Sequence, residues 1–125
     1  MSKPRLLVVE DTPLNRDLFQ QLLEDDYELE FATDGEQALE RAGRVSFDGI
    51  LLDIAIPKID GMEVARRIRA TEAKGRVPII AVTAHAMAGD RERCLRAGCD
   101  EHVTKPIDER ELGTVLRRWI RSTNT

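Results

Sequence analysis

Short apolar runs alternate with longer stretches of helical periodicity along the whole chain, and this alternation limits the possible folds more than any other feature. The apolar runs predict strands at residues 5–9, 27–32, 48–52, 77–82 and 100–104. The periodic stretches predict helices at residues 13–25, 35–43, 61–73, 87–97 and 107–121. Strand–helix units in series predict a mostly parallel sheet that is covered by helices on both faces.

The residue types in these runs predict the order of the strands. Residues 5–9, 48–52 and 77–82 are nearly all apolar, as central strands buried on both faces are. Residues 27–32 alternate polar and apolar side chains, which is typical of an edge strand. We therefore expect the flavodoxin-like α/β fold, a doubly wound (βα)5 sheet with strand order 2-1-3-4-5. At 125 residues, the whole chain (1–125) is predicted to form one domain.

Capping residues predict where the helices begin and end. Pro13 suits the first position of the first helix. Thr12, Asp34 and Asp60 directly precede predicted helices, where such residues can act as caps, and Asp108 lies near the start of the fifth. Three glycines stand at predicted helix ends: Gly43, Gly75 and Gly98. The tail, residues 121–125, is expected to fray.

The charge of the chain argues against a nucleic-acid-binding domain, because such domains are usually basic and this chain has a net charge of −4 and a pI of about 5.2. Six arginines fall in two predicted helices, and we interpret them as solvated helix faces rather than a phosphate-binding patch: Arg66, Arg67, Arg69, Arg117, Arg118 and Arg121. No apolar run is long enough to span a membrane, and the first residues lack the apolar region of a signal peptide.

The two cysteines, Cys94 and Cys99, are predicted to be reduced and mostly buried. A metal site made by these cysteines with His85 and His102 would fit no zinc-ligand spacing, so we do not favour it. Together with the missing membrane span and signal peptide, this indicates a cytoplasmic protein.

Three carboxylates are predicted to meet at one edge of the sheet. The first strand leads into Glu10 and Asp11, and the third leads into Asp53. In an open parallel sheet, sites form at the carboxyl ends of the strands where the strand order reverses, which here lies between the first and third strands. Clustered carboxylates repel one another unless a cation is present. The sequence therefore predicts a site for a hard divalent cation, Mg²⁺ or, as a substitute, Mn²⁺.

The same edge is predicted to receive Thr83 from the fourth strand and Lys105 from the fifth. One carboxylate beside the cation could attack phosphorus and form an aspartyl phosphate. The ammonium of Lys105 and the hydroxyl of Thr83 would then stabilise charge on the phosphoryl oxygens. Singly, each of these residues is a common cap or turn residue, and it is their joint position at four strand ends that carries the prediction.

These residues give the chain its resemblance to the receiver domains of bacterial two-component response regulators, over essentially its whole length. The matching blocks are Glu10-Asp11, residues 51–61, Val82-Thr83-Ala84 and Lys105-Pro106. The resemblance implies that Asp53 accepts a phosphoryl group from a phosphohistidine on a sensor histidine kinase or a histidine phosphotransfer protein. The phosphorylated chain would then change its binding to a downstream protein target, as a monomer or a phosphorylation-dependent dimer.

The resemblance also implies roles for the residues of the site. Glu10, Asp11, Asp53 and the backbone carbonyl of Ala55 would hold the metal. Lys105 would pair with Asp53 and then with the phosphoryl oxygens, and its bond to Pro106 would be cis. Thr83 would turn inward to the phosphate.

Three further positions bear on switching and on the lifetime of the phosphoryl group. His102 stands where many receivers carry an aromatic residue that changes rotamer with the threonine, and it is either such a switch or an exposed strand residue. Ala55 and His85 stand two residues after Asp53 and Thr83, where side chains influence the lifetime of the phosphoryl group. His85 is either a shield for the phosphate or a neutral surface residue, and we expect an intermediate lifetime.

Two surfaces are implied for partners. The expected docking edge for the phosphoryl donor contains Leu14, Leu18, Pro106 and Ile107, although core packing is the favoured interpretation for Leu18. The face made by the fourth helix, fifth strand and fifth helix is the usual output surface of such domains. In this chain that face would include Arg91, Leu95 and His102.

Several alternatives remain at this point. The expected form is a stand-alone receiver of the chemotaxis-regulator type, and a receiver excised from a longer hybrid kinase or regulator is the second. A phosphatase or dehalogenase-type hydrolase would usually carry a second aspartate two residues after the first, which Asp53-Ile54-Ala55 lacks. A flavin-binding module shares the fold, but the acidic loop after the first strand would repel its phosphate. A phosphorylation-independent binding module is the last alternative. In the favoured interpretation the chain is no enzyme beyond its own phosphorylation and dephosphorylation.

Overall fold

The structure, a computed structural model, describes residues 3–71, 76–84 and 89–120. The strands of this part are Arg5–Val9 (β1), Glu28–Ala32 (β2), Gly49–Asp53 (β3), Ile79–Thr83 (β4) and Glu101–Thr104 (β5). The helices are Pro13–Leu23 (α1), Gly35–Arg44 (α2), Gly61–Thr71 (α3), Asp90–Ala97 (α4) and Glu109–Trp119 (α5). No helix among the described residues is long and apolar enough to cross a membrane.

The strands form one parallel sheet in the order β2-β1-β3-β4-β5, which confirms the predicted topology. Every residue of β3 and β4 is buried, whereas β2 at the edge is mostly half-buried or exposed. The polarity of each strand therefore matches its place in the sheet. β3 and β4 both end one residue later than predicted, so Asp53 and Thr83 are the last residues of their strands.

The sheet separates two apolar layers. Leu7, Ile50 and Leu52 point into a layer that includes buried residues of α2, α3 and α4. Leu6, Val8 and Leu51 point into the other layer, which is completed by α1 and α5. Successive strand residues face opposite sides, so each central strand contributes to both layers. This double burial holds the strand ends, and the polar residues that follow them, in fixed positions.

Most of the predicted caps are correct. The carboxylates of Asp34, Asp60 and Asp108 accept hydrogen bonds from the backbone N–H groups of Gln37, Glu63 and Glu111, at 2.8, 3.0 and 3.1 Å. Gly98 ends α4 with φ 116°, a conformation that favours glycine.

α1 begins at Pro13 as predicted, but one predicted capping bond and one predicted helix end are wrong, and another helix end lies outside the described residues. Thr12 makes no side-chain capping bond, and its own N–H donates to the carboxylate of Glu10 at 3.2 Å. α2 passes through Gly43 to Arg44 and ends at Val45, whose extended backbone leads towards β3. Gly75 falls among the residues that the structure does not describe.

The interpretation of the arginines as solvated helix faces is wrong for Arg69. Only 14% of its side chain is exposed, and it donates to the carbonyl oxygens of Gly98 and Val77 and to Asp100, at 2.8, 2.6 and 2.9 Å. The carboxylate of Asp100 is 5% exposed and also accepts from the backbone N–H of Ile79 at 2.9 Å and from Arg76. This network joins the end of α3, the start of β4 and the turn before β5. Arg66, Arg67, Arg117 and Arg118 are exposed as expected, and Arg121 lies outside the described residues.

The cysteines are free and buried, as predicted. Burial raises the pKa of the Cys99 thiol to about 12, so this thiol is protonated and unreactive at neutral pH.

Because Arg69 neutralises a nearly buried carboxylate, its replacement should be costly. We predict that Arg69→Ala lowers the free energy of unfolding by about 3 kcal/mol, since among the described residues the buried carboxylate of Asp100 would keep only the exposed Arg76 as a cationic partner. The control Arg66→Ala removes an exposed i,i+3 ion pair and should cost less than ~0.5 kcal/mol. Urea unfolding measures both values, and equal losses in the two variants would contradict the assignment.

Candidate functional site

The predicted cluster of carboxylates is present at the carboxyl edge of the sheet. Glu10 and Asp11 follow β1, Asp53 ends β3, and these strands are hydrogen-bonded neighbours. One carboxylate oxygen from each of the three residues lies within 4.8 Å of the other two. Among the described residues, no other group of three or more acidic, histidine or cysteine side chains could hold a metal ion.

Glu10 is a fully buried carboxylate with an incomplete set of partners. Its side-chain oxygen Oε2 accepts from the N–H of Thr12 at 3.2 Å and from Nδ2 of Asn15 at 3.4 Å. Its other oxygen, Oε1, has no hydrogen-bond donor among the described residues, although Nζ of Lys105 lies 3.3 Å away. Burial, reinforced by the negative charge of Asp53, raises the pKa of Glu10 above its ordinary value. Beyond its ion pair with Lys105, this buried oxygen has no donor among the described residues, so it can accept a further cation.

Asp53 is held by bonds to both of its carboxylate oxygens. It is 4% exposed, its Oδ1 accepts from the backbone N–H of Ala55 at 2.9 Å, and its Oδ2 accepts from Nζ of Lys105 at 2.9 Å. Burial acts to lower the pKa of Lys105, but the hydrogen bond and charge of Asp53, with the charge of Glu10, outweigh it and raise that pKa. Lys105 therefore stays protonated at neutral pH.

The charges of the site remain unbalanced without a further cation. When all three carboxylates are ionised, Lys105 is the one ammonium paired with them among the described residues. The donors are all oxygens, their spacing lets one ion touch all three residues, and Oε1 of Glu10 is free to join it. Hard oxygen donors that include carboxylates are what Mg²⁺ prefers, so the residues fit this ion.

β4 and β5 bring Thr83 and Lys105 to the same edge. Thr83 is 6% exposed, and its carbonyl oxygen accepts from the N–H of Lys105 at 2.8 Å. The peptide bond between Lys105 and Pro106 is cis, as the resemblance implied. Ala84, directly after Thr83, is exposed and small.

Two residues near the site were not predicted to contribute to it. Asn15 contacts the carboxylate of Glu10 from the first turn of α1. A polar residue in the helix turn that follows an acidic strand end is the sequence signal that could have indicated this contact. Gly61 allows α3 to start close to β3, because a Cβ atom there would lie 2.7 Å from the carbonyl oxygen of Asp53. The sequence indicated Gly61 only as the start of a helix.

The structure describes one of the two histidines that were predicted near the site. His85 lies outside the described residues. His102 lies on β5 opposite Ala81, and it is half-buried rather than exposed. Its Nδ1 atom is buried and has no hydrogen-bond partner among the described residues.

The predicted docking edge is partly apolar and exposed. Leu14 is 77% exposed and Leu18 is 38% exposed, so the core-packing interpretation of Leu18 is wrong. Phe19 and Leu23 occupy the buried face of α1 instead. Pro106 is exposed, whereas Ile107 is half-buried against the layer that contains α5.

In the predicted output face, Arg91 of α4 is exposed and Leu95 is half-buried.

Comparison with known proteins identifies the family. A family model described as the response regulator receiver domain matches residues 6–117. Over 115 residues the chain is 42% identical to the signal transduction histidine-protein kinase BarA of Escherichia coli K12, an alignment that covers 91% of this chain but only 12% of that kinase. Over 103 residues it is 41% identical to the polar-differentiation response regulator DivK of Brucella ovis, covering 82% of this chain and 84% of that one.

Solved structures agree with these relatives. The receiver domain of the sensor histidine kinase PA1611 from Pseudomonas aeruginosa, which has a magnesium ion coordinated in its active site cleft, has a TM-score of 0.88 and 43% identity over 97% of this chain and 100% of that one. The receiver domain of the response regulator Ssk1, solved with the Saccharomyces cerevisiae histidine phosphotransfer protein Ypd1, has a TM-score of 0.86 and 25% identity, covering 94% and 89% of the two chains. The family model, the relatives and the fold agree, and the chain belongs to the response regulator receiver domain family.

Proposed function

We propose that Asp53 accepts a phosphoryl group from a phosphohistidine and that the phosphorylated chain changes the proteins it binds. The observation that carries the proposal is the position of its carboxylate, which is almost buried, shares a cation-sized space with Glu10 and Asp11, and is hydrogen-bonded to Lys105. A receiver domain is a signalling phosphoacceptor. We infer that this one catalyses only its own phosphorylation and dephosphorylation.

Mg²⁺, or Mn²⁺ in its place, would be held by Glu10, Asp11, Asp53 and the backbone carbonyl of Ala55. The support is the orphaned Oε1 of Glu10 and the spacing of the three carboxylates. A divalent cation supplies positive charge where phosphoryl oxygens must approach a nucleophile that is itself negative.

The residues of the chain can perform the remaining work. An Asp53 oxygen forms a bond to phosphorus as the phosphorus–nitrogen bond of the phosphohistidine breaks, and the departing imidazole nitrogen keeps that electron pair. Lys105, now 2.9 Å from Oδ2 of Asp53, shifts its ammonium to a phosphoryl oxygen. The N–H of Ala55, now bonded to Oδ1 of Asp53, can donate to the same group. Thr83 is the nearby hydroxyl that we infer turns toward the phosphate.

The partner surfaces follow from exposure. Receiver domains pair with histidine kinases or phosphotransfer proteins, as in the complex of Ypd1 with Ssk1. We infer that the donor of this chain docks on Leu14 and Leu18, beside Pro106 and Ile107, because Leu14 is the most exposed large apolar residue of the described chain. An edge beside the site that is partly apolar and exposed is suited to that contact.

The response to phosphorylation is proposed to pass from Thr83 to His102 and the face that contains Arg91 and Leu95. The support is that β4 and β5 are paired and that Nδ1 of His102 lacks a partner among the described residues. A downstream protein or a second copy of the chain would bind this face, so the chain is monomeric or dimerises when phosphorylated.

Ala55, which is exposed beside Asp53, would admit water to the phosphoryl group, and His85 would modulate its lifetime.

We infer that residues 1–125 act as one receiver domain, either alone or within a longer protein. The similarity to DivK favours a separate regulator, and the similarity to BarA favours a domain of a hybrid kinase. The chain spans about one eighth of the length of the kinases it matches, so their activities are not transferred to it. The free, buried cysteines suit a reducing compartment, and we place the protein in the cytoplasm.

Phosphorylation at Asp53 can be tested with a small donor. We expect incubation with acetyl phosphate and Mg²⁺ to add one phosphoryl group by intact mass, and chelation of the metal to abolish the adduct. Asp53→Asn should lose it because the nucleophile is gone, whereas Asp17→Asn, which alters an exposed carboxylate of α1, should retain it. An unchanged adduct in Asp53→Asn would contradict the proposal, and steady hydrolysis of a phosphate monoester over many turnovers would favour a hydrolase.

The charge imbalance predicts that the ionised carboxylate of Glu10 lowers the free energy of unfolding of the metal-free protein. Its raised pKa means that the native state binds this proton more tightly than the unfolded chain does, so stability falls as pH rises from the ordinary value of 4.5 through the raised one. In a chelating buffer at neutral pH, Glu10→Gln should therefore unfold at higher urea, with a gain on the order of 1 kcal/mol.

The gain should vanish at low pH, and Mg²⁺ should stabilise wild type more than Glu10→Gln, because the ion binds the ionised native site. Glu24→Gln, which removes an exposed carboxylate, is the control and should match wild type. Urea unfolding across pH with and without Mg²⁺ measures this, and a pH-independent loss of stability in Glu10→Gln would refute it.

A further inference from the structure

Lys58 has a backbone conformation that its side chain disfavours. Its φ is 71°, and among the described residues it is the only non-glycine residue with positive φ. It lies in the loop of residues 54–60, which runs from Asp53 to the start of α3 and contains Ala55. A strained residue of this kind persists only when its surroundings hold it there.

The start of α2 holds the loop at this residue. Nζ of Lys58 lies 3.7 Å from Oδ2 of Asp34, whose side chain is only 11% exposed. The other oxygen of Asp34 caps α2 by accepting from the N–H of Gln37 at 2.8 Å, which fixes the carboxylate in place. The N–H of Gly35 donates to the carbonyl oxygen of Pro57 at 3.3 Å. Two contacts thus join the helix start to two successive loop residues.

The fit between helix and loop is close. A Cβ atom on Gly35 would lie 2.5 Å from the carbonyl oxygen of Ile59, so the loop backbone lies directly against the helix start. At the other end of the loop, the N–H of Ala55 is bonded to Oδ1 of Asp53. Because both sides of the loop are held, a change in the backbone dihedral angles of Lys58 would alter the conformation of the few residues between it and Ala55.

We propose that Asp34 and Lys58 are positioning residues that hold the loop in the conformation in which Ala55 can serve the metal and the phosphoryl group. This pair is called the α2 latch. Without the ion pair, Lys58 relaxes toward negative φ and the loop spends part of its time in a form that does not bind the metal. Apparent affinity for the ion then falls by the fraction of competent molecules. The inference rests on the proposed function, because it assigns the loop to that site.

The test compares the Mg²⁺ dissociation constant of four metal-free proteins by titration calorimetry. Asp34→Asn keeps a capping side chain but removes the charge. Lys58→Ala removes the ammonium but keeps a residue that disfavours positive φ, whereas Lys58→Gly removes the ammonium and tolerates that φ. Because Lys58 is more than half exposed, the ion pair is weak, and we expect about threefold weaker binding in Asp34→Asn and Lys58→Ala. Lys58→Gly should bind Mg²⁺ as well as wild type.

The latch also predicts how phosphorylation depends on Mg²⁺ concentration, and general destabilisation of the fold would not give this dependence. Phosphorylation of Asp34→Asn by acetyl phosphate should need about threefold more Mg²⁺ but reach the wild-type plateau. Glu36→Gln, which removes an exposed charge from the same turn of α2, is the control and should leave the dissociation constant unchanged.

Equal affinities in all four proteins would overturn the latch, as would binding by Lys58→Gly as weak as that by Lys58→Ala, or a defect in only one of Asp34→Asn and Lys58→Ala. These outcomes differ from failure of the proposed function, in which wild type itself takes up neither Mg²⁺ nor a phosphoryl group.

Discussion

The structure depends on the placement of three carboxylates, two of them paired with one ammonium, at the end of a buried parallel pair of strands. Lys105 lies 2.9 Å from Asp53 and 3.3 Å from Glu10, and one positive charge cannot balance the three acids. Burial strengthens both the attraction and the repulsion, because water is excluded from Glu10. The site is therefore suited to bind a further cation and then an anionic group. The excess negative charge of the three carboxylates is what makes the cation necessary.

The fold brings the carboxylates together through its strand order and the burial of its central strands. β1 and β3 are adjacent because the chain crosses from the edge strand to the other half of the sheet, and their carboxyl ends open at that crossing. The apolar layers fix both strands from both faces, so the acids are ordered before any ion arrives. The loop after Asp53 is contacted by the start of α2, through the ion pair of Lys58 with Asp34 and the bond from the N–H of Gly35 to the carbonyl oxygen of Pro57.

The sequence was most informative where residue type and position along a strand were enough. Apolar runs ending in Glu10-Asp11 and Asp53 predicted both the strand order and the cluster of acids, since parallel strands end at the same edge. It failed where a partner lies far along the chain. Arg69 resembles its exposed neighbours in sequence, but it is buried by Asp100, 31 residues later. Leu18 fits a helical apolar pattern, but Phe19 and Leu23 fill the space beneath α1. The positive φ of Lys58, in a loop that Asp34 and Gly35 contact from the start of α2, carries no sequence signal.

The central claim is that the phosphoryl group is carried by Asp53, and chemical trapping tests it most directly. Borohydride reduces an acyl phosphate to an alcohol, which converts an aspartyl phosphate into homoserine, and peptide mass spectrometry then identifies the residue. After phosphorylation in Mg²⁺, homoserine should appear at position 53 and at no other aspartate. Homoserine at position 11, or a phosphoryl group that survives reduction on a histidine, would contradict the account.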